Sequence, residues 1–266
     1  MRIIVCIKQV PDPEGPRESF VINEATNCVE PSGIPPVLSL FDENALEAAL
    51  KIKDADKDNV TVSVLSIGKK VSNAVMVKAL AAGADELLKV EDDAFESGNL
   101  DSFATASVLA SAIKKAGNYD LILVGRQAAD WNAGQVGINI AGMLDVPCVT
   151  LAKKVVPENG SVIVDRVLPN GDETVKTQLP AVVMVSNEVG ELRYPAMKER
   201  RNAKNKPVTA WEKGDIGLSD MPKNKIVLKR LFKPELKEKA CKIITGATLA
   251  EAGKNLALKL KEDGIV

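Results

Sequence analysis

The sequence predicts an α/β protein, an open and mostly parallel sheet wound with helices and followed by a C-terminal arm. Three observations predict it. Short apolar runs at Ile3–Ile7, Val60–Ile67, Leu87–Val90 and Leu121–Val124 alternate with helical patterns at Asp42–Lys53, Val71–Ala82 and Asp101–Ala116, the rhythm of strands joined by crossover helices. The run Leu121–Val124 leads straight into a small, polar, glycine-punctuated loop that opens another helix. With 266 residues, of which 45% are hydrophobic and 27% charged, the chain is long enough to bury a full core.

In chain order, the first strand, Ile3–Ile7, is too short for a signal-peptide core or a membrane span. Residues 18–38 interrupt the rhythm as a hairpin excursion, with Asn23 to Asn27 between Phe20–Ile22 and Val29. The first helix carries an apolar face through Leu46, Ala49 and Leu50, with Ser39 and Asp42 spaced as a capping box. A later helix repeats the spacing in Phe103, Ala106, Ala110 and Ile113, and Gly83 and Gly117 stand at C-terminal cap positions. Residues 151–186 read as antiparallel strands turning at Asn159-Gly160 and Asn170-Gly171, with Ala181–Val185 returning to the sheet. The core pattern ends near 189. Residues 190–266 form an arm, closing in a helix from Thr248, with Thr248 and Glu251 as a capping box and a stripe of Leu249, Ala252, Leu256 and Leu260.

Composition excludes much chemistry. The chain has no histidine, which removes the Ser-His-Asp and Cys-His nucleophile arrangements and the commonest zinc ligand, and no paired carboxylates stand out. Neither a catalytic residue nor a metal site is expected. The four cysteines, Cys6, Cys28, Cys148 and Cys241, are scattered and read as free thiols of a reducing, cytoplasmic compartment. A net charge of −1 gives no reason to expect nucleic acid or an anionic membrane as partner.

The loop is Gly125-Arg126-Gln127-Ala-Ala-Asp130-Trp-Asn132-Ala133-Gly134-Gln135-Val136-Gly137. The first N–H groups of the following helix lack intrahelical partners and, with the helix dipole, favour an anionic group. Neither Gly-x-Gly-x-x-Gly nor Gly-x-x-x-x-Gly-Lys-Ser/Thr occurs, so the residues alone leave an anion or nucleotide site beside an ordinary strand–loop–helix joint. Arg126 either neutralises a phosphate or pairs with a carboxylate, and Asp130 either accepts from a ribose or caps the helix. Trp131 either stacks on a ring or lies as a lid on the protein's own surface. Cys6, at the carboxyl end of the first strand, reads foremost as core packing.

A second segment, 191–207, has six positive residues (Arg193, Lys198, Arg200, Arg201, Lys204 and Lys206) against Glu191 and Glu199, a local charge of +4. The plain reading is a solvated helix face. Tyr194, Pro195 and Met197 at its head instead suit a docking segment that combines an anchor with steering charge.

Ile4-Val-Cys-Ile-Lys-Gln-Val-Pro-Asp12, Phe41-Asp-Glu-Asn-Ala-Leu-Glu47, Ala81-Ala-Gly-Ala-Asp85, Gly125-Arg-Gln-Ala-Ala-Asp130 with Asn132 to Gly137, and Leu192-Arg-Tyr-Pro-Ala-Met197 occur in this order. On these residues the chain closely resembles the beta subunit of electron transfer flavoprotein along essentially its whole length. The resemblance implies a fold of adenine-nucleotide-binding type. It also implies permanent pairing with an alpha subunit that holds most of the redox FAD, and docking on flavin acyl-CoA dehydrogenases. It implies a nucleotide buried in this subunit, AMP or a second FAD. Cys6, Ser39 and Ile67 would line its adenosine side. Gly125 to Gly137 would take its phosphates, chiefly through Asp130, Asn132, Ala133, Gly134, Gln135 and Val136. Asn132 is similar to AMP-holding members and Gln135-Val-Gly137 to electron-bifurcating, NADH-linked ones, so both stay open. The recognition loop maps to about 191–204, with Met197 where a leucine anchor is usual and Tyr194, Lys198, Arg200 and Arg201 around it. Two further readings stand beside this one, a stand-alone nucleotide-binding stress or signalling protein and a nicotinamide-dependent oxidoreductase.

Overall fold

The computed structural model describes residues 1–95, 100–233 and 241–266. The chain runs through β1 (Arg2–Cys6), β2 (Gln9–Pro11), the hairpin β3 (Phe20–Asn23) and β4 (Cys28–Pro31), β5 (Pro36–Leu38) and α1 (Leu40–Ala55). It continues with β6 (Thr61–Gly68), α2 (Asn73–Ala82), β7 (Glu86–Glu91), α3 (Ser102–Ala116), β8 (Leu121–Gly125) and α4 (Val136–Leu144). Then come β9 (Cys148–Glu158), β10 (Ser161–Leu168), β11 (Gly171–Gln178), β12 (Ala181–Val185), α5 (Met197–Asn202), β13 (Val208–Trp211) and α6 (Leu249–Glu262).

The main sheet has the order β11-β10-β9-β12-β8-β1-β6-β7-β13, all parallel except the β9-β10-β11 meander. The predicted open, mostly parallel, helix-wound sheet is therefore the observed fold. β1, β8 and β12 are continuous apolar runs because both faces are covered: Ile3 and Val5 face one apolar cluster with α1 and α2, Ile4 and Cys6 the other with α3 and α4. The chain leaves β1 toward β6 and β7, then crosses back to β8 on the other side. Strand order thus reverses between β1 and β8, and the carboxyl ends of that pair form the crevice where sheets of this kind receive ligands.

Local signals hold at many joints. Asp101 caps α3 through the amide of Ala104 at 2.8 Å, and Thr248 caps α6 through that of Glu251 at 3.2 Å. Asn159 and Gly160, both with positive φ, make the tight β9–β10 turn. The capping box expected at α1 is a correction. Ser39 is the N-cap, but its hydroxyl caps no helix amide; it accepts from Ala129 at 3.2 Å and bonds the Asp42 carboxyl. β13, which pairs with β7 at the sheet edge, carried no signal in the pattern: its four residues follow Pro207 and lie beside the basic run.

Two compact units are distinguished, Met1–Leu231 and Phe232–Val266. In the second, α6 has no buried residue, and Leu249 on its stripe is 94% exposed. No helix among the described residues is long and apolar enough to cross a membrane.

Candidate functional site

The crevice is built around one buried carboxylate. Asp42, in the first turn of α1, accepts from the Lys8 amide at 2.9 Å through Oδ2 and from the Gly125 amide at 3.2 Å through Oδ1. It thereby ties together the carboxyl ends of β1 and β8. The approach is so close that a Cβ on Gly125 would lie 2.6 Å from the Phe41 carbonyl carbon and 2.8 Å from the Asp42 nitrogen. Only glycine fits there. Burial drives the Asp42 carboxyl up to about 7, against the pull of the Lys8 and Gly125 amides, the Lys8 charge and the Ser39 hydroxyl. Spacing in the sequence marked Asp42 only as a helix cap. Its partners lie 34 and 83 residues away, and no local pattern reports such a pairing.

The loop after Gly125 is held from three sides. Arg126 donates its amide to Val185 of β12 at 2.8 Å, Ala129 donates to Ser39, and the Lys8 ammonium pairs with Asp130 at 2.6 Å. Within it Gln127 donates to Asn132 at 2.9 Å, and Asn132 and Gly134 take φ of 53° and 65°, so the chain doubles back before α4. Gly137 in the first turn of α4 is buried; a Cβ there would meet Val124 Cγ2 at 2.6 Å and Met184 Cγ at 2.7 Å. That glycine seats the helix against the ends of β8 and β12.

The structure places the residues whose readings stayed open in the sequence. Asp130 does not cap α4, whose N-cap is Gln135; it pairs with Lys8. Arg126 sits over the Phe41 ring, 4.7 Å from its centroid, and its buried Nε has no partner among the described residues. Trp131 is 49% exposed. Cys6 is buried in the core cluster at the β1 end, opposite Val124, and burial first and the Asp42 charge second push its thiol far up, so it is an inert packing group. Ile67 is half-buried near the end of β6. Asn132, Ala133 and Gln135 are exposed, whereas Gly134 and Val136 are half-buried.

The structure thus brings Ser39 and Gly125 to Gly137 into one loop cluster beside Cys6. Chemically this cluster offers an acceptor-bearing anion the unpaired N–H groups of the first turn of α4 and the orphaned Arg126 Nε.

The basic segment lies elsewhere, with α5 packed on α2. Tyr194 is 83% and Met197 67% exposed, and the Arg200 guanidinium lies 4.5 Å from the Tyr194 ring centroid. Lys198, Arg201 and Lys204 are exposed. Arg193 and Lys206 are not free charges. Arg193 forks onto Glu47 and Asp54 of α1, and Lys206 donates to the carbonyls of Leu80 and Ala84 at 2.8 and 2.6 Å.

A doubly wound sheet with a glycine-built loop at its point of strand reversal defines the class of α/β protein that receives ligands at the carboxyl ends of its strands. Residues 28–216 match the electron transfer flavoprotein domain. The chain is 37% identical over 270 residues to the caffeyl-CoA reductase-Etf complex subunit CarD of Acetobacterium woodii, covering all of both chains. It is 36% identical to the electron transfer flavoprotein subunit beta of Thermoanaerobacterium thermosaccharolyticum, again over the whole of both, and 34% identical to that of Clostridium acetobutylicum over 99% of each. The chain belongs to the electron transfer flavoprotein beta-subunit family. The family is flavin-associated and pairs with an alpha subunit.

Proposed function

We propose that this chain is the non-catalytic half of a cytoplasmic electron carrier: with an FAD-holding alpha subunit it shuttles electrons between flavin dehydrogenases of the acyl-CoA type and a downstream acceptor. The observation that carries the reading is the loop cluster at the β1/β8 crevice in a chain related to beta subunits over its full length. In this reading the crevice holds an adenine nucleotide, its phosphate on the α4 N-terminus and Arg126, its adenosine side near Ser39, Cys6 and Ile67. These residues suit such a group, because the buried Arg126 Nε needs an acceptor and the Asp130 charge is already met by Lys8. A bound flavin supplies the electron chemistry; the protein contributes burial, orientation and a docking surface. The absence of histidine costs nothing in that role. The four free thiols suit a reducing cytoplasm.

In the same reading Tyr194, Met197, Lys198, Arg200 and Arg201 face the dehydrogenase, and residues 190–266 form an arm for the alpha subunit. A second reading places a second FAD in the crevice of an NADH-linked, bifurcating form. It is favoured by Gln135-Val136-Gly137 and by a relative named as part of a CoA reductase complex.

The test is to co-express the chain with the alpha subunit, denature the purified complex and identify the released nucleotides by chromatography and mass. One FAD with one AMP makes it the simple carrier, and two FAD the bifurcating kind. Release of no nucleotide beyond the alpha subunit's FAD overturns the crevice assignment.

A further inference from the structure

One stripe of α1 is given over to polar contacts with the base of the basic segment. At helical spacing, Asn44 Nδ2 donates to the Gly190 carbonyl at 2.6 Å and Lys51 Nζ to the Val189 carbonyl at 2.6 Å. Between them Glu47, only 5% exposed, accepts from the Arg193 amide at 3.0 Å, from Nε at 3.0 Å and from an Arg193 terminal nitrogen at 2.8 Å. The other terminal nitrogen reaches Asp54, two turns further along α1, at 2.6 Å. Hydrogen bonds to Glu47, more than those to Asp54, push the guanidinium above its ordinary range. The far end of the segment is fixed independently: Ala203 is 1% exposed, and Lys206 bonds the carbonyls at the end of α2. Between these two fixtures Tyr194, Met197, Lys198 and Arg201 are exposed.

We propose that Arg193, clamped by Glu47 and Asp54, is a positioning residue that pins the docking segment to α1, with Lys206 as the second pin. The two cations do not steer the partner. They hold a short strap taut so that its exposed residues are presented in one conformation, which lowers the ordering cost of association. The six positive charges of the segment divide by task, two pinning it and the others left for the partner. This inference rests on the reading of the segment as a dehydrogenase docking surface.

The decisive variant is Glu47→Gln, because Glu47 is buried under the segment it holds rather than on its exposed face. The complex with the alpha subunit is assayed as electron acceptor from an acyl-CoA dehydrogenase that reduces the wild-type complex, across a range of salt concentrations. In parallel, trypsin probes cleavage after Lys198, Arg200, Arg201 and Lys204. Pinning requires Glu47→Gln to raise the KM for the complex about tenfold with kcat and salt slope preserved, and to speed cleavage in the strap about tenfold, since opening and docking read the same local order. Arg193→Lys, which keeps the charge but loses the fork, falls in between. A double variant of Lys198 and Arg201 to Gln lowers the salt slope without exposing the strap.

KM and cleavage within twofold of wild type in Glu47→Gln overturn the proposal, as does an Arg193→Gln variant that lowers the salt slope while leaving cleavage unchanged. Should Glu47→Gln fail to fold, Asp54→Asn on the exposed side of the fork is expected to move cleavage in the same direction by less, and no change there overturns the proposal equally. If Met197→Ala leaves KM unchanged, the docking reading fails, whereas the cleavage rates still decide the pinning.

Discussion

Asp42 carries the crevice with two oxygens matched to two backbone amides from different strands. Its folded carboxyl, raised by burial to about 7, lies above its ordinary value of 3.8, so the folded state binds the extra proton between these values. Its contribution is therefore most favourable below the unfolded value and is lost as pH rises through about 7. Across that window a fully buried carboxyl shifted this far accounts for up to roughly 4 kcal/mol. Asp42→Asn cannot titrate. Its Tm, set against wild type in the same alpha-subunit complex, is expected to gain on wild type as pH goes from 5.5 to 8.5, and parallel curves would disprove the assignment. The two glycines of the site make a graded pair. A Cβ at 125 meets backbone, which cannot give, whereas one at 137 meets the side chains of Val124 and Met184. Gly137→Ala is expected to cost about 1–3 kcal/mol and Gly125→Ala more, read from urea midpoints, with nucleotide lost in the second. Such roles are the part of the site that sequence did not disclose. Gly125 and Asp130 were legible as loop residues because the motif is local, whereas Ser39 was legible only as a helix cap. The partners that define their work, Asp42, Ala129 and Lys8, are 83, 90 and 122 residues away.

The elements legible in the sequence are those whose burial is periodic. β8 and β12 are apolar throughout and β1 and β6 largely so, broken by Arg2 and by Thr61, Ser63 and Ser66, because both faces are covered, and α1 and α3 show a stripe because one face is. β13 was hidden because it is an edge strand in which Val208 is 49% exposed and the pattern has no second face to match. The docking segment was legible as a charge run, but its division into pins and free cations was not, since Arg193 and Lys198 differ only in what lies across from them. Met197 opens α5 with two-thirds of its surface in solvent. Its truncation therefore has little folded packing to lose. Met197→Ala is expected to change the Tm of the complex by the equivalent of under about 0.5 kcal/mol, to leave nucleotide content intact and to raise the KM with the dehydrogenase about tenfold. Unchanged kinetics would remove Met197 as the anchor.

At the scale of the whole molecule, the chain is nearly neutral, and its apolar surplus is distributed unevenly. Residues Met1–Leu231 enclose both core clusters. Within Phe232–Val266, α6 is capped at its start by Thr248, while Glu251 reaches back to the Ala247 amide at 2.8 Å. Its Leu249 and Leu256 are 94% and 47% exposed, and Ile265 and Val266 beyond it are 67% and 80% exposed. A well-capped amphipathic helix with its stripe in solvent gains its stability from whatever covers it. Because the family pairs with an alpha subunit, we propose that subunit as the cover. A chain ending at residue 231 keeps every strand of the main sheet and is expected to fold and to retain the crevice. Each covered leucine is worth about 1.5–3 kcal/mol, so the truncated chain is expected to bind the alpha subunit at least about 100-fold more weakly, measured by sedimentation of the mixed subunits on dilution. Equal affinity of the truncated and full chains would instead place the whole subunit interface on residues 1–231 and leave α6 to serve some other surface.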